Sequence, residues 1–236
     1  MIRKMHLVFT ITALLTALSC VVVQHVLAQD LQEEFNIAKR KLTHTGKSKY
    51  FILEPGFQVV LKSRKVKMIT TVLDEIKEIN GIVTRVVEEK EEENGKLTEI
   101  TRNFFAIDKE TGDIFYFGEE VDVYKQGKIV DHGGSWEAYK SSNKPGLMIP
   151  GNPKVGMKYY QEFAPGVAMD WAEVLSISET VKTPYGELKN CLRTTDSSTI
   201  KEMKEYKTFA PGIGLVEFEG MKLISYGYIK EKAAMK

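Results

Sequence analysis

Cysteine is scarce in this 236-residue chain, which contains only Cys20 and Cys191. Cys20 lies in an N-terminal segment that we expect to be removed, so the rest of the chain has one thiol and cannot form an intramolecular disulfide. Stability must therefore come from a packed apolar core. About 200 residues in one domain are enough to build such a core.

Histidine is also rare, and only His44 and His132 lie beyond the N-terminal segment. Asp131, Ser135 and Glu137 are close to His132 in sequence, but no second histidine or cysteine lies at ligand spacing. A metal site needs convergent ligands, and a serine hydrolase needs its nucleophile on a strained elbow. We therefore predict no catalytic residue, no metal site and no cofactor, and keep an enzyme centred on His132 only as a third hypothesis.

The chain has almost no net charge. The formal charge is +1, and it becomes −1 without positions 1–28, which hold two basic residues and no acidic one. Nucleic-acid binding needs a positive surface that neutralises phosphates. We expect no nucleic-acid partner.

The first residues have the parts of a signal peptide. Arg3 and Lys4 precede an uncharged apolar run over residues 7–23. Residues 26–28 then provide small or medium-sized side chains at the positions that signal peptidase recognises. We predict that 1–28 is a signal peptide and that 29–236 is a single mainly-β domain. The product would be exported, to the periplasm or the extracellular space.

A lipid anchor is the alternative interpretation of the same segment. Residues 16–20 resemble a lipobox, in which Cys20 would carry the acyl group. The fit is poorer, because the leucine stands one place too late and three valines, instead of a polar tether, follow the cysteine.

Helical spacing occurs once in the remaining chain. Residues 30–33 have the spacing of a capping box, and Leu31, Phe35, Ala38 and Leu42 recur on one stripe. This pattern predicts one short N-terminal amphipathic helix.

From residue 43 onward, apolar and polar side chains alternate, which is typical of strands. The predicted strands after residue 80 cover 82–91, 96–107, 113–124, 158–163, 171–179, 187–195, 201–209, 213–219 and 221–229. Turn pairs such as Asn94-Gly95 and Glu219-Gly220 favour short antiparallel connections. We predict a mainly-β fold: a curved antiparallel meander sheet, forming a half-barrel or open barrel, with the short helix packed on it.

The longest irregular stretch covers 133–156 and is rich in glycine and proline. Loops of this length are uncommon in compact domains and are enriched in function. We interpret it either as a connector between two halves of the sheet or as a functional loop.

Several short segments carry a resemblance, and they cover 116–121, 134–138, 150–156, 184–186, 190–192 and 209–216. Together they resemble an uncharacterised family of exported bacterial proteins. The family is distantly similar to lipoprotein-carrier half-barrels, in which a curved sheet wraps a short helix and an apolar cavity. The resemblance implies this architecture and brings no catalytic residues.

Aromatic and methionine side chains are numerous between 104 and 171, and neighbours such as Phe104-Phe105 must point to opposite faces of a strand. Apolar mass on both faces fits either a filled core or a cavity. The candidate ligand-binding residues are Phe105, Trp136, Met148, Tyr160, Phe163 and Trp171.

These observations support two main functional hypotheses. The first is an exported, non-catalytic binding protein whose concave face accommodates an apolar or amphipathic ligand, such as a lipid or a lipidated chain. The second is an envelope protein-interaction or structural module that binds a protein partner through the 133–156 loop.

Overall fold

The computed structural model describes residues 30–202 and 204–229. The predicted signal peptide, its cleavage site and Cys20 lie outside the described residues. Within the described part, no helix is long and apolar enough to cross a membrane.

Nearly all regular structure in the described residues is β-strand. The strands are β1 (Leu42–Thr43), β2 (Gly46–Ser48), β3 (Phe51–Leu53), β4 (Phe57–Lys62), β5 (Val66–Ile79), β6 (Ile82–Glu93), β7 (Lys96–Asp108), β8 (Ile114–Lys125), β9 (Lys128–Asp131), β10 (Trp136–Glu137), β11 (Gly146–Ile149), β12 (Lys158–Tyr160), β13 (Asp170–Lys182), β14 (Glu187–Ser198), β15 (Lys204–Ala210), β16 (Gly214–Phe218) and β17 (Met221–Tyr228).

Two meanders form one antiparallel sheet. Strands β4 to β8 lie side by side in chain order, as do β12 to β17, and β17 pairs with β4 to join the two sets. The predicted mainly-β antiparallel meander is therefore confirmed. The strands at the two ends of this order, β10 and β12, do not pair with each other, so the sheet is not closed into a barrel.

Tight turns set the register of several hairpins. Asn80, Asn94, Gln126 and Glu219 have positive φ, and each is followed by a glycine that also has positive φ. Two left-handed residues in a row form the turn whose twist matches that of the flanking strands. Short connections of this kind explain why most predicted strands agree with the structure to within three residues at each end.

The predicted N-terminal helix is wrong. A three-residue 3-10 helix, Ile37–Lys39, is the only helical turn in that segment. Gln32 instead donates its backbone N–H to the carbonyl of Lys158 and accepts the N–H of Tyr160, both at 2.9 Å. The backbone groups that would start a helix are used to bind the sheet, and Phe35 is buried against Phe115 with ring centroids 6.0 Å apart.

The 133–156 segment is a connector between the two meanders and is more ordered than its composition predicts. It contains β10 and β11, which both pair with β8. Leu147 and Ile149 are buried in the core. Gly146 and Gly151 permit close backbone contacts to other parts of the chain, so the segment is part of the sheet's packing.

Both faces of the first meander are covered. Phe105 points to the concave side, whereas Phe104 points outward under the ammonium group of Lys77, 4.1 Å from its ring centroid.

Cys191 is fully buried in the core, and this burial raises the pKa of its thiol to about 11.

Candidate binding cavity

The curved sheet encloses a cavity of about 230 Å³ between its two meanders. Its wall is built by side chains from β3 to β8, from β11, from the chain after β12, and from the turn and strands around β15 and β16. An engineered apolar cavity of about 150 Å³ holds benzene, so this space is large enough for an aromatic ring system or a short alkyl chain.

One part of the wall is apolar, and we call it the aromatic wall. Its residues are Phe51, Ile52, Phe57, Val59, Val72, Val87, Phe105, Met148, Phe209, Ile213, Leu215 and Phe218. The rings of Phe51 and Phe105 pack edge to face at 5.3 Å, and Phe105 stacks on Tyr116 at 4.7 Å. These contacts fix the wall, because aromatic pairs prefer such offset arrangements.

The other part is charged, and we call it the acidic wall. It is formed by Glu89, Glu99, Glu119 and Glu162 together with one cation, Lys207. Glu89 accepts a hydrogen bond from Thr70 at 3.3 Å, and Glu99 accepts one from Thr101 at 2.9 Å. None of the four glutamates forms an ion pair with a described side chain.

A β-bulge places Glu119 on this wall. Asn103 is opposite Glu119 and Phe105 is opposite Tyr116, so two residues of β8 face the single Phe104 of β7. The extra residue turns Tyr116 and Glu119 to the same face. Tyr116 donates its hydroxyl to Glu119 at 2.8 Å and also contacts the side-chain oxygen of Asn103.

Gly118 is required at the bulge. It has a φ of 132°, and a β carbon there would lie 2.3 Å from the backbone oxygen of Trp136. Only glycine allows β10 to approach β8 so closely.

Lys207 is already neutralised by a carboxylate of its own meander. Its ammonium group forms an ion pair with Oδ2 of Asp196. Although burial lowers the pKa of Lys207, the Asp196 charge outweighs it, and the pKa lies above its usual value. The other oxygen of Asp196, Oδ1, is buried without a hydrogen-bond partner, and the residue is only 4% exposed.

Burial raises the pKa of three carboxyl groups of the acidic wall, those of Glu89, Glu119 and Glu162. Burial, together with the Glu89 and Glu99 charges, raises the pKa of Glu119 to about 7, against the opposing hydrogen bond from Tyr116. Burial and the Glu119 charge raise the pKa of Glu162 well above its ordinary value. Burial therefore disfavours the charged form of these carboxyl groups, and Glu119 gains its negative charge only as the pH rises through about 7.

The six candidate residues from the sequence fall into three groups. Phe105 and Met148 lie in the aromatic wall. Trp136 is buried behind it, with its ring 5.3 Å from that of Tyr116. The remaining three, Tyr160, Phe163 and Trp171, lie outside the cavity wall near the end of β12.

Tyr160, Phe163 and Trp171 lie outside the cavity because of their positions in and around β12 and β13. Tyr160 is opposite Trp171 across β12 and β13, and the rings of Tyr160 and Phe163 pack at 5.1 Å. Phe163 is further covered by the ammonium group of Lys144, 4.7 Å from its ring centroid. These aromatic side chains stabilise the end of the second meander.

His132 lies on an exposed hairpin, away from the cavity. Its Nδ1 is 2.8 Å from Asp122, a residue that the sequence pattern did not single out. Ser135 instead donates its hydroxyl to the His132 carbonyl and accepts the Val121 N–H. Asp131 accepts the backbone N–H of His132, so these side chains cap a turn and do not converge on one point.

No group of three His, Cys, Asp or Glu side chains in the described residues is arranged to hold a metal ion. What distinguishes the molecule is one open antiparallel sheet curved around a small cavity, with an aromatic wall and an acidic wall.

Comparisons with known proteins find only distant similarity. No protein-family model and no curated protein matches the sequence. Among solved structures, the chain is similar to a "putative exported protein with YmcC-like fold" from Bacteroides fragilis. The identity is 15%, the TM-score is 0.37, and the alignment covers 76% of this chain and 96% of the other.

Proposed function

We propose that the protein is an exported, non-catalytic binding protein that accommodates an amphipathic ligand in the cavity of its sheet. The observation that carries the proposal is the cavity itself, with apolar side chains on one part of its wall and charged side chains on the other. Ligand sites are typically concave and largely apolar, with a few polar groups that fix orientation.

The cavity volume limits what can be enclosed. About 230 Å³ suits one ring system or a short apolar chain, so a lipid or a lipidated segment would place only part of its apolar portion inside. Burying that portion contributes about 25 cal/mol per Å² of apolar surface, without any catalytic residue.

Filling the cavity tests this proposal. Leu215 lies in the aromatic wall and is partly exposed to the cavity, whereas Leu175 is exposed on β13 away from it. We expect 1-naphthalenemethanol to bind the unmodified protein in isothermal titration calorimetry. Leu215→Trp should weaken binding at least about tenfold, because the indole occupies the ligand's space, and Leu175→Trp should leave it unchanged.

Thermal unfolding of each variant establishes that it is folded, and Leu215→Phe is the smaller replacement if the indole prevents folding. No binding by the unmodified protein, or equal weakening by the two tryptophans, would contradict the proposal.

A further inference from the structure

The acidic wall has four carboxyl groups and too few neighbouring cations to compensate their negative charge. Four glutamates line the cavity, and the single cation among the lining residues, Lys207, is paired with Asp196. A buried or partly buried carboxylate without a cation is unfavourable, because desolvation penalises its charged form. At pH values above about 7, where Glu119 is ionised, the described residues therefore leave a negative region inside the molecule whose single lining cation, Lys207, is paired with Asp196.

A second observation concerns a carboxylate that lies next to this wall. Oδ1 of Asp196 is buried and has no hydrogen-bond partner, while Oδ2 of the same carboxylate contacts Lys207 at the cavity wall. Buried polar atoms are nearly always hydrogen-bonded in folded proteins. Asp196 is not among the residues that line the cavity, so this unpaired oxygen adds to the negative charge behind the acidic wall.

We infer that the ligand is an amphiphilic cation, whose apolar body packs against the aromatic wall and whose ammonium group lies among the carboxylates of the acidic wall. This inference rests on the proposed function and specifies its ligand class. An ammonium group offers up to three N–H donors and a positive charge, which match unpaired carboxylates. An anionic amphiphile would meet four carboxylates and no free cation among the lining residues.

Several charged or titratable groups lie in this region or close behind it. They are Glu89 and Glu91 from β6, Glu99 from β7, Tyr116 and Glu119 from β8, Glu162, Asp170 from β13, Asp196 from β14, and Glu205 and Lys207 from β15. Acidic groups dominate, so raising the pH adds negative charge to the wall.

Three probes that share a naphthyl group but differ in charge separate the effect of ligand charge from the effect of filling the cavity. At pH 8 we expect 1-naphthylmethylamine to bind the full chain at least about tenfold more tightly than 1-naphthalenemethanol, with 1-naphthoate weakest. The affinity for the amine should rise between pH 6 and pH 8, and the affinity for the alcohol should not.

Matched variants locate the effect. Glu119→Gln combined with Glu162→Gln should weaken binding of the amine about tenfold and change binding of the alcohol less than about twofold. The control pair, Glu33→Gln with Glu78→Gln, removes the same charge from exposed positions and should change neither affinity.

The outcomes distinguish this inference from the function on which it rests. If the amine binds no more tightly than the alcohol, or if the control pair weakens it as much as the cavity pair, the inference is overturned and the binding function stands. If none of the three probes binds, both fail.

Discussion

Alanine in place of Gly146 is expected to lower the free energy of unfolding by at least about 3 kcal/mol. A β carbon built there would lie 1.9 Å from the carbonyl oxygen of Gln161. That oxygen belongs to the backbone and cannot rotate away, so the chain itself must move. The clash lies where the first meander, through β11, meets the chain that follows β12 in the second.

Neighbouring contacts show why movement there is costly. Lys144 donates its backbone N–H to the Phe163 carbonyl at 2.9 Å, and the Gln161 side-chain amide donates to the Met148 carbonyl at 3.1 Å. Displacing Gly146 from Gln161 would weaken both hydrogen bonds. Because Gln161 is buried, its amide would then lack a partner.

Gly133→Ala is the matched control. Neither glycine has positive φ, so backbone strain does not distinguish them. At Gly133 the nearest atom is Oδ2 of Asp131 at 3.0 Å, and this exposed side chain can shift by a few tenths of an ångström while Oδ1 keeps its hydrogen bonds to the turn. We expect a change within about 0.5 kcal/mol in urea denaturation. If Gly146→Ala and Gly133→Ala had the same free energy of unfolding, the close backbone contact between Gly146 and Gln161 would not be important for stability.

Glutamine in place of Glu119 should stabilise the protein at pH 8 and have little effect at pH 5. The folded-state pKa of Glu119 is raised to about 7 from 4.5, so the folded protein binds a proton more tightly than the unfolded chain. Stability from this group is therefore lost as the pH rises from about 4.5 through 7. At pH 8 the charged form costs up to about 3 kcal/mol, since one pKa unit corresponds to about 1.4 kcal/mol.

Glutamine isolates the effect of charge. Its amide oxygen can still accept the hydrogen bond from Tyr116, and at pH 5 it resembles the protonated carboxyl that it replaces. Urea denaturation at both pH values measures the difference, with Glu78→Gln as an exposed control that should have no effect at either pH. A loss of stability at pH 8 would show that Glu119 is not held in a charge-excluding site.

Strand positions could be predicted because they depend on neighbours in sequence. Thr70 and Val72 are two positions apart in β5, Val59 is opposite Thr70 in β4, and all three line the concave side as the period of two requires. The N-terminal segment shows the limit of such patterns. Its apolar side chains do recur at helical intervals, but the hydrogen bonds between Gln32 and β12 determine the backbone conformation of the segment.

The acidic wall was not predicted from the sequence, because the acidic run at 88–93 precedes the Asn94-Gly95 turn and is typical of a solvated hairpin tip. Residues 88–93 do approach the tip, yet alternation alone places Glu89 on the same face as Val87. Counting back from Phe105 in steps of two likewise reaches Glu99. The available signal was therefore the acidic residues that share a face with the core.

Other parts of the site could not be found from local patterns. The bulge that turns both Tyr116 and Glu119 inward depends on Gly118 and on the approach of β10. Lys207 lies about ninety positions from Glu119 in sequence, and only the curvature of the sheet brings β15 towards β8. Sequence periodicity has no information about such long-range approaches.

Nuclear magnetic resonance of methionine methyl groups tests the central claim most directly, that the space inside the sheet receives an amphipathic ligand. Met148 lines the cavity, whereas Met221 is buried elsewhere in the core. With 1-naphthylmethylamine bound, we predict nuclear Overhauser effects between the naphthyl protons and the Met148 methyl group, assigned with Met148→Leu, and none to Met221. A bound probe without any effect to Met148 would contradict the account.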